Sequence, residues 1–489
     1  MSPTDPRRLV PARLDALPAD VARPAYDRAA VRIGVVHLGP GAFHRAHQAE
    51  AFDRLLAHDP HWGICAVSLK SPGVRDALAP QDGLYTLVEL DETIRYRVIG
   101  AIKQVLAAPE DPEAVFAQMA SPEVAVISLT VTEKGYALDG HGALDVDHPD
   151  VRRDLARPAT PASTVGWLAE GLRRRRAAGQ GGLSVISCDN LTDNGRKLGA
   201  AVRALACAQG DEALAAWIEA EVAFPNTMVD SITPATTEAL RQRVRERLGL
   251  EDAWPIQREA FTQWVVEDAL APAAPDLAAV GVTLTADVRP FEEAKLRLLN
   301  GSHSALAYLG SLLNLATTAD AVGEPALAAF VERLMRQDMI PSLTPSPQLD
   351  LGAYVDSLLH RFRNPQIGHK LSQIAWDGSQ KLPFRLFGPI RQAQAAGRPI
   401  ERLCVPLAAW IAFVVRQAQA GAPITDPLAP TLEALGREAG DDFAAMVEAF
   451  LGLAAMFPAD LAANADFRHA VTASYARLAR GDVRGVLAL

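Results

Sequence analysis

Near residue 285 the periodicity of apolar residues changes, and no other feature of the chain limits its fold as strongly. Before that point, short apolar runs at 32–38, 63–69, 124–131 and 183–187 alternate with helical patterns such as 164–176 and 191–208. Short, β-branched runs that are apolar throughout read as strands buried on both faces. The runs 84–89 and 94–102 flank Leu90-Asp91-Glu92-Thr93 and read as a hairpin. Such alternation predicts an α/β domain around a mostly parallel sheet. After a last strand at 282–288 the periodicity is helical, over 293–315, 324–336, 352–362, 404–419, 440–456 and 464–480. The reading is an α/β domain over 1–285 and a mostly α-helical domain over 286–489.

A chain of 489 residues gives each half enough length for its own core. The net charge of −10 argues against nucleic acid or a membrane surface as a partner, because both need a basic face. The run Arg173 to Arg176, followed by Gly179, reads as the cationic end of a helix. The longest apolar run, 404–415, is too short to span a bilayer and contains Pro406, so a buried helix is expected. No apolar core follows Met1-Ser2-Pro3-Thr4-Asp5-Pro6, which predicts a cytoplasmic protein. Cys65, Cys188, Cys207 and Cys404 stand apart, so neither a disulfide framework nor a cysteine zinc site is expected.

Val35-Val36-His37-Leu38-Gly39-Pro40-Gly41-Ala42-Phe43-His44-Arg45 sets a strand, a Gly-x-Gly turn and a helix start in order. Glycines let backbone approach a pyrophosphate, and the helix start offers free N–H groups. His44 stands where the third glycine of the dinucleotide fingerprint belongs. The next strand ends Ser68-Leu69-Lys70-Ser71 with no acid for a ribose, so NAD is not secured over NADP.

The densest chemical signal is Pro290-Phe291-Glu292-Glu293-Ala294-Lys295-Leu296-Arg297-Leu298-Leu299-Asn300-Gly301-Ser302-His303. On an α-helix, Glu292, Lys295, Asn300 and His303 fall within an arc of about 140°. Singly, each is an ordinary helix residue. Together they suit carbonyl reduction, with an amine to move the hydroxyl proton and an amide to hold the developing alkoxide. An imidazole would orient a hydroxyl and a carboxylate would relay protons.

The segment Lys295 to His303 resembles the signature of the mannitol dehydrogenase family, the polyol-specific long-chain dehydrogenases. The resemblance extends to Gly39–Gln48, Ser128–Tyr136, Ser187-Cys188-Asp189-Asn190, Phe224–Asp230 and Asp377-Gly378-Ser379-Gln380-Lys381. It implies an NAD(P)-dependent, metal-free dehydrogenase acting on CH–OH groups. It implies an expanded, dinucleotide-binding Rossmann domain followed by a mainly helical substrate and catalytic domain. It implies Lys295 as acid/base, Asn190 and Asn300 as oxyanion donors, His303 as orienting residue and Glu292 as relay. Gly39, Gly41, Ala42, Phe43, Arg45 and Asn190 would meet the cofactor, and Glu133, Asp230 and Lys381 the substrate. A monomer is also implied.

Within the family the chain is most similar to the fructuronate reductase (D-mannonate oxidoreductase) branch, on the nucleotide loop, on 132–136, on 373–383 and on its C-terminal end. Ser231 departs from the arginine expected after Asp230. An acid substrate needs a cation, and Lys381, His369, Lys370 and Arg361 are candidates. The alternatives are a mannitol 2-dehydrogenase acting on neutral ketoses, and a nucleotide sensor without catalysis.

Overall fold

The computed structural model describes residues 7–489, so Met1–Pro6 and the location expected from them lie outside the described residues. The chain divides into two compact units between Val288 and Arg289.

The first unit is built on five parallel strands: β1 (Ile33–Leu38), β2 (Gly63–Ser68), β3 (Ile102–Ala107), β4 (Val126–Leu129) and β5 (Ser184–Ser187). Their order is β3-β2-β1-β4-β5. The two halves of the sheet grow outward from β1 and β4, which opens a crevice at their carboxyl ends. Alternate side chains point to opposite faces, and both faces are covered. Val36, Leu38, Cys65 and Val67 join one core with helices α3 (Thr164–Ala177) and α4 (Asn194–Ala208). Val35, Ile64 and Ala66 join the other with α1 (Ala42–Ala46) and α2 (Gln48–Leu55). Burial on both sides is why these strands read as unbroken apolar runs.

The hairpin exists, but its second arm is shorter than expected. Tyr85–Leu90 pairs antiparallel with Arg95–Ile99 in a separate four-stranded sheet with Val21–Ala22 and Ile256–Glu259. At Gly100, where a Cβ would lie 2.7 Å from Pro24 Cγ, the chain turns away and enters β3 of the main sheet. The expected last strand shrinks to Thr283–Thr285, in a third sheet with Thr227–Asp230 and Gln263–Glu267. The arginine run closes α3 as expected: Arg173 and Arg174 pair with Glu170, and Arg175 donates to the carbonyls of Gly181 and Ser121.

The second unit, Arg289–Leu489, contains no strand among its described residues. Its long helix Glu401–Gln419 is buried through Pro406 and packs on Gly301–Leu312 and Ala465–Ala479. Among the described residues no helix is long and apolar enough to cross a membrane. The helix expected over 293–315 is composite. It runs as α5 (Arg289–Ala294), a π segment (Lys295–Asn300) and α6 (Gly301–Leu312).

Candidate functional site

In the first unit the glycine turn closes a cavity of about 540 Å³. The lining comes from the carboxyl ends of three neighbouring strands: Gly39 and Gly41 after β1, Ser68 and Lys70 at the end of β2, Thr130 and Thr132 after β4. Gly39 has φ +85°, and a Cβ there would collide with the Thr130 carbonyl, so the turn itself demands glycine. Gly41 differs. A Cβ there would meet only the Gly39 carbonyl, at 3.8 Å. No protein group requires a glycine at 41, which leaves room for a ligand to approach the backbone.

The turn rests on histidines. Thr130 Oγ1 donates to the Gly39 carbonyl at 2.7 Å, which commits the hydroxyl hydrogen. His37 Nε2 lies 3.1 Å from that same Oγ1 and must therefore carry a proton, while Nδ1 accepts from Ser128 Oγ at 2.8 Å. His37 is thus neutral, and burial holds its pKa at about 3. His44 stacks on it with ring centroids 3.3 Å apart. Neither nitrogen of His44 has a hydrogen-bond partner, and burial pushes its pKa well below the usual imidazole value.

One expected loop residue stands beside strained backbone. Glu133, exposed, opens a 3-10 turn after Thr132, whose φ of +67° and ψ of +160° suit glycine rather than a β-branched residue. The Asp189 carboxylate holds that backbone by accepting from Val131 N (3.1 Å), Thr132 N (2.8 Å) and Tyr136 Oη (2.8 Å). Asn190, next in sequence, is exposed beyond the end of β5. Asp230 is buried at the end of its strand, and the Ser231 hydroxyl donates to the Phe261 carbonyl at 3.0 Å.

In the second unit the π segment alters the expected geometry of the catalytic helix. On an α-helix Lys295 and Asn300 would stand about 140° apart. In a π turn residues i and i+5 are the hydrogen-bonded neighbours, so the two come onto one line. His303, three residues further along α6, continues that face, and Glu292 precedes it on α5. The opposite side is anchored: Leu298 and Leu299 are buried, and Arg297 donates to the Ser342 carbonyl. Lys295, Asn300 and Glu292 are half-buried, and His303 is buried.

Around His303 lies a set of basic groups. Its ring is 4.8 Å from Phe362 and 5.3 Å from His369. Its Nε2, and Nδ1 of His369, are enclosed without a hydrogen-bond partner. Burial, then the charges of His369, Arg385 and Arg361, pushes the pKa of His303 well below the ordinary value. Burial and Arg385 lower Lys381, and burial and Lys381 lower His369. Lys381 lies in the last turn of helix α7 (Gly378–Leu382). Gly378 seats that helix, since a Cβ there would lie 2.5 Å from Trp410 Nε1 and 2.6 Å from Tyr308 Oη.

The cavity lining departs from the expected residues at several places. Arg45 does not reach the cavity: it is buried, its Nη1 donates to the Trp254 carbonyl at 2.7 Å, and it packs over the Trp254 and Tyr85 rings. Ala42, Phe43 and Asn190 do not line that cavity either. Lys370 is exposed and lines a different cavity, of about 830 Å³, with Trp376 and Arg416. Two residues not singled out in the sequence belong to these surroundings: Thr130 lines the cavity, and the charge of Arg385 acts on His303 and Lys381. Arg385 carried a signal, since two cations at i and i+4 repel unless something anionic joins them. Among the described residues no group of three or more His, Cys, Asp or Glu stands close enough to hold a metal.

Residues 33–278 match the family model described as mannitol dehydrogenase Rossmann domain, and 287–479 match the mannitol dehydrogenase C-terminal domain. The chain is 42% identical to the D-mannonate oxidoreductase of Escherichia coli K12, covering 96% of this chain and 98% of that one. It is 38% identical to a mannitol 2-dehydrogenase of Aspergillus fumigatus, over 95% and 94%. The solved Pseudomonas fluorescens mannitol 2-dehydrogenase, a ternary complex with NAD and D-mannitol, is 37% identical with a TM-score of 0.83, over 98% and 99%.

Proposed function

Because the chain belongs to the mannitol dehydrogenase family, we propose that it interconverts D-fructuronate and D-mannonate with a nicotinamide dinucleotide, NAD in preference to NADP. At the coarser level it is an oxidoreductase of CH–OH groups on polyols or sugar acids. The observation that carries the mechanism is the π segment, which draws Lys295, Asn300 and His303 onto one face.

The cofactor fits the first unit on two grounds. Gly41 is open where no protein atom needs it to be, and the cavity joins the ends of three parallel strands. Gly39 and Gly41 would face the pyrophosphate, and Ser68 and Lys70 the adenosine ribose. When bound, the nicotinamide supplies or accepts hydride.

In reduction, Lys295 gives its proton to the oxygen that becomes alkoxide, and the Asn300 amide donates to that oxygen. Asn190, in the first unit, is proposed as a further donor. His303, kept neutral by burial, orients a hydroxyl, and Glu292 restores the proton on Lys295. Glu133, Asp230 and Lys381 are proposed substrate contacts. In oxidation the amine must start neutral, so the rate rises with pH through one ionisation.

Initial rates for D-fructuronate and D-fructose, each with NADH and NADPH, test the assignment. The highest kcat/KM is expected for fructuronate with NADH. A higher value for fructose would favour the mannitol 2-dehydrogenase reading, which the 38% identical relative supports. Lys295→Ala should lower kcat by about 10²–10⁴-fold and flatten the pH profile. Unchanged turnover would remove the mechanism.

A further inference from the structure

We infer that Arg385 and Lys381 together bind the carboxylate of a sugar-acid substrate, with Arg385 as the residue that separates acids from neutral polyols. The inference rests on the sugar-acid reading above and names its recognition site. Arg385 lies on a π segment (Pro383–Phe387) directly after the helix that carries Lys381. It is half-buried, and among the described residues its one hydrogen bond is Nη1 to Ser304 Oγ, at 2.8 Å. Ser304 in turn donates to the Asn300 carbonyl at 3.4 Å, so the guanidinium is tied to the end of the catalytic π segment. Neither Arg385 nor Lys381 has a carboxylate within ion-pair distance among the described residues. The acids that act on Lys381 from further off are Asp377 and Asp426, and Asp426 is committed to Ser379 N, Ser379 Oγ and Leu428 N.

Two cations withdrawn from water with no carboxylate in ion-pair contact are unfavourable in an isolated protein. Burial alone holds Arg385 down at about 10, low for a guanidinium. The charge of Arg385 acts on His303 and that of Lys381 on His369, and Nε2 of His303 and Nδ1 of His369 are both buried without partners among the described residues. An anion with several acceptor oxygens resolves each of these features, because it neutralises the two cations and accepts from their N–H groups. A planar carboxylate matches the fork of Arg385, while Lys381 supplies a point charge beside it.

The test compares Arg385→Gln with wild type on D-fructuronate and D-fructose, with melting temperature and NADH titration as controls for folding. Loss of a charge-assisted bond predicts a KM for fructuronate raised by about 10- to 100-fold, and at least about ten-fold more than the change for fructose. Arg385→Lys should recover part of the loss. Equal losses on both substrates, or no loss, would overturn the inference. Should Arg385→Gln not fold, Lys381→Gln carries the same expectation. A wild type that prefers D-fructose 6-phosphate to fructuronate would also overturn it, by assigning the cluster to phosphate. A wild type that prefers fructose would sink the functional proposal alone. D-gluconate must then still inhibit fructose reduction competitively, and Arg385→Gln must relieve that inhibition, or the site falls as well.

Discussion

At the scale of single residues, the two glycines of the nucleotide turn make opposite predictions. Gly39 is demanded by its own backbone, with φ +85° and the Thr130 carbonyl in the way of any Cβ. Gly39→Ala should cost about 2 kcal/mol or more of stability and abolish NADH binding. Gly41 has ordinary backbone and open space around it. Gly41→Ala should melt within a degree or two of wild type, yet bind NADH at least about ten-fold more weakly. Thermal melts and fluorescence titrations on both variants separate a glycine needed for the fold from one needed for the ligand. Gly41→Ala with unchanged affinity would remove the turn from the cofactor site.

At the scale of elements, α7 places Lys381 by resting bare backbone on Trp410 and Tyr308 at Gly378. Gly378→Ala forces the helix outward and should destabilise the protein by roughly 1–3 kcal/mol in a denaturant titration. It should also raise the KM for the acid. The elements show what the sequence could reveal. The five parallel strands were legible because both faces of each are buried, as with Val35 and Val36 on opposite cores. Ile256–Glu259 and Gln263–Glu267 end in polar residues and carry at most three consecutive apolar ones, which is too little pattern to find. The π segment was invisible for another reason. Lys295, Asn300 and His303 could be named as a set, but their alignment depends on one extra residue in a turn, which no apolar periodicity records. The burial of Arg45 was not legible either, because it is decided by Trp254 and Tyr85, distant in sequence.

At the scale of the whole molecule, buried histidines set the response to acid. Burial holds His37 and His44 in the first unit and His303 in the second below the ordinary imidazole value of about 6.5. The unfolded chain protonates them below that value and the folded chain does not, so each lowers stability as pH falls under 6.5. For His37 this continues down to about 3. For His37 roughly 2 kcal/mol should be lost between pH 7 and pH 5, and His44 and His303 act in the same direction. His44→Phe keeps the stack and forfeits no hydrogen bond, so its melting temperature should drop less between pH 7 and 5 than that of wild type. Equal slopes would show that His44 titrates normally. The strained backbone at Thr132 carries the opposite pressure. A population selected in the laboratory for heat resistance alone should drift toward glycine at 132, because glycine relieves the strain at no steric cost. The same change loosens the loop that carries Glu133, so survivors of such a selection should be sturdier and slower. Thr132 is therefore a position where evolving for durability and evolving for turnover lead to different sequences.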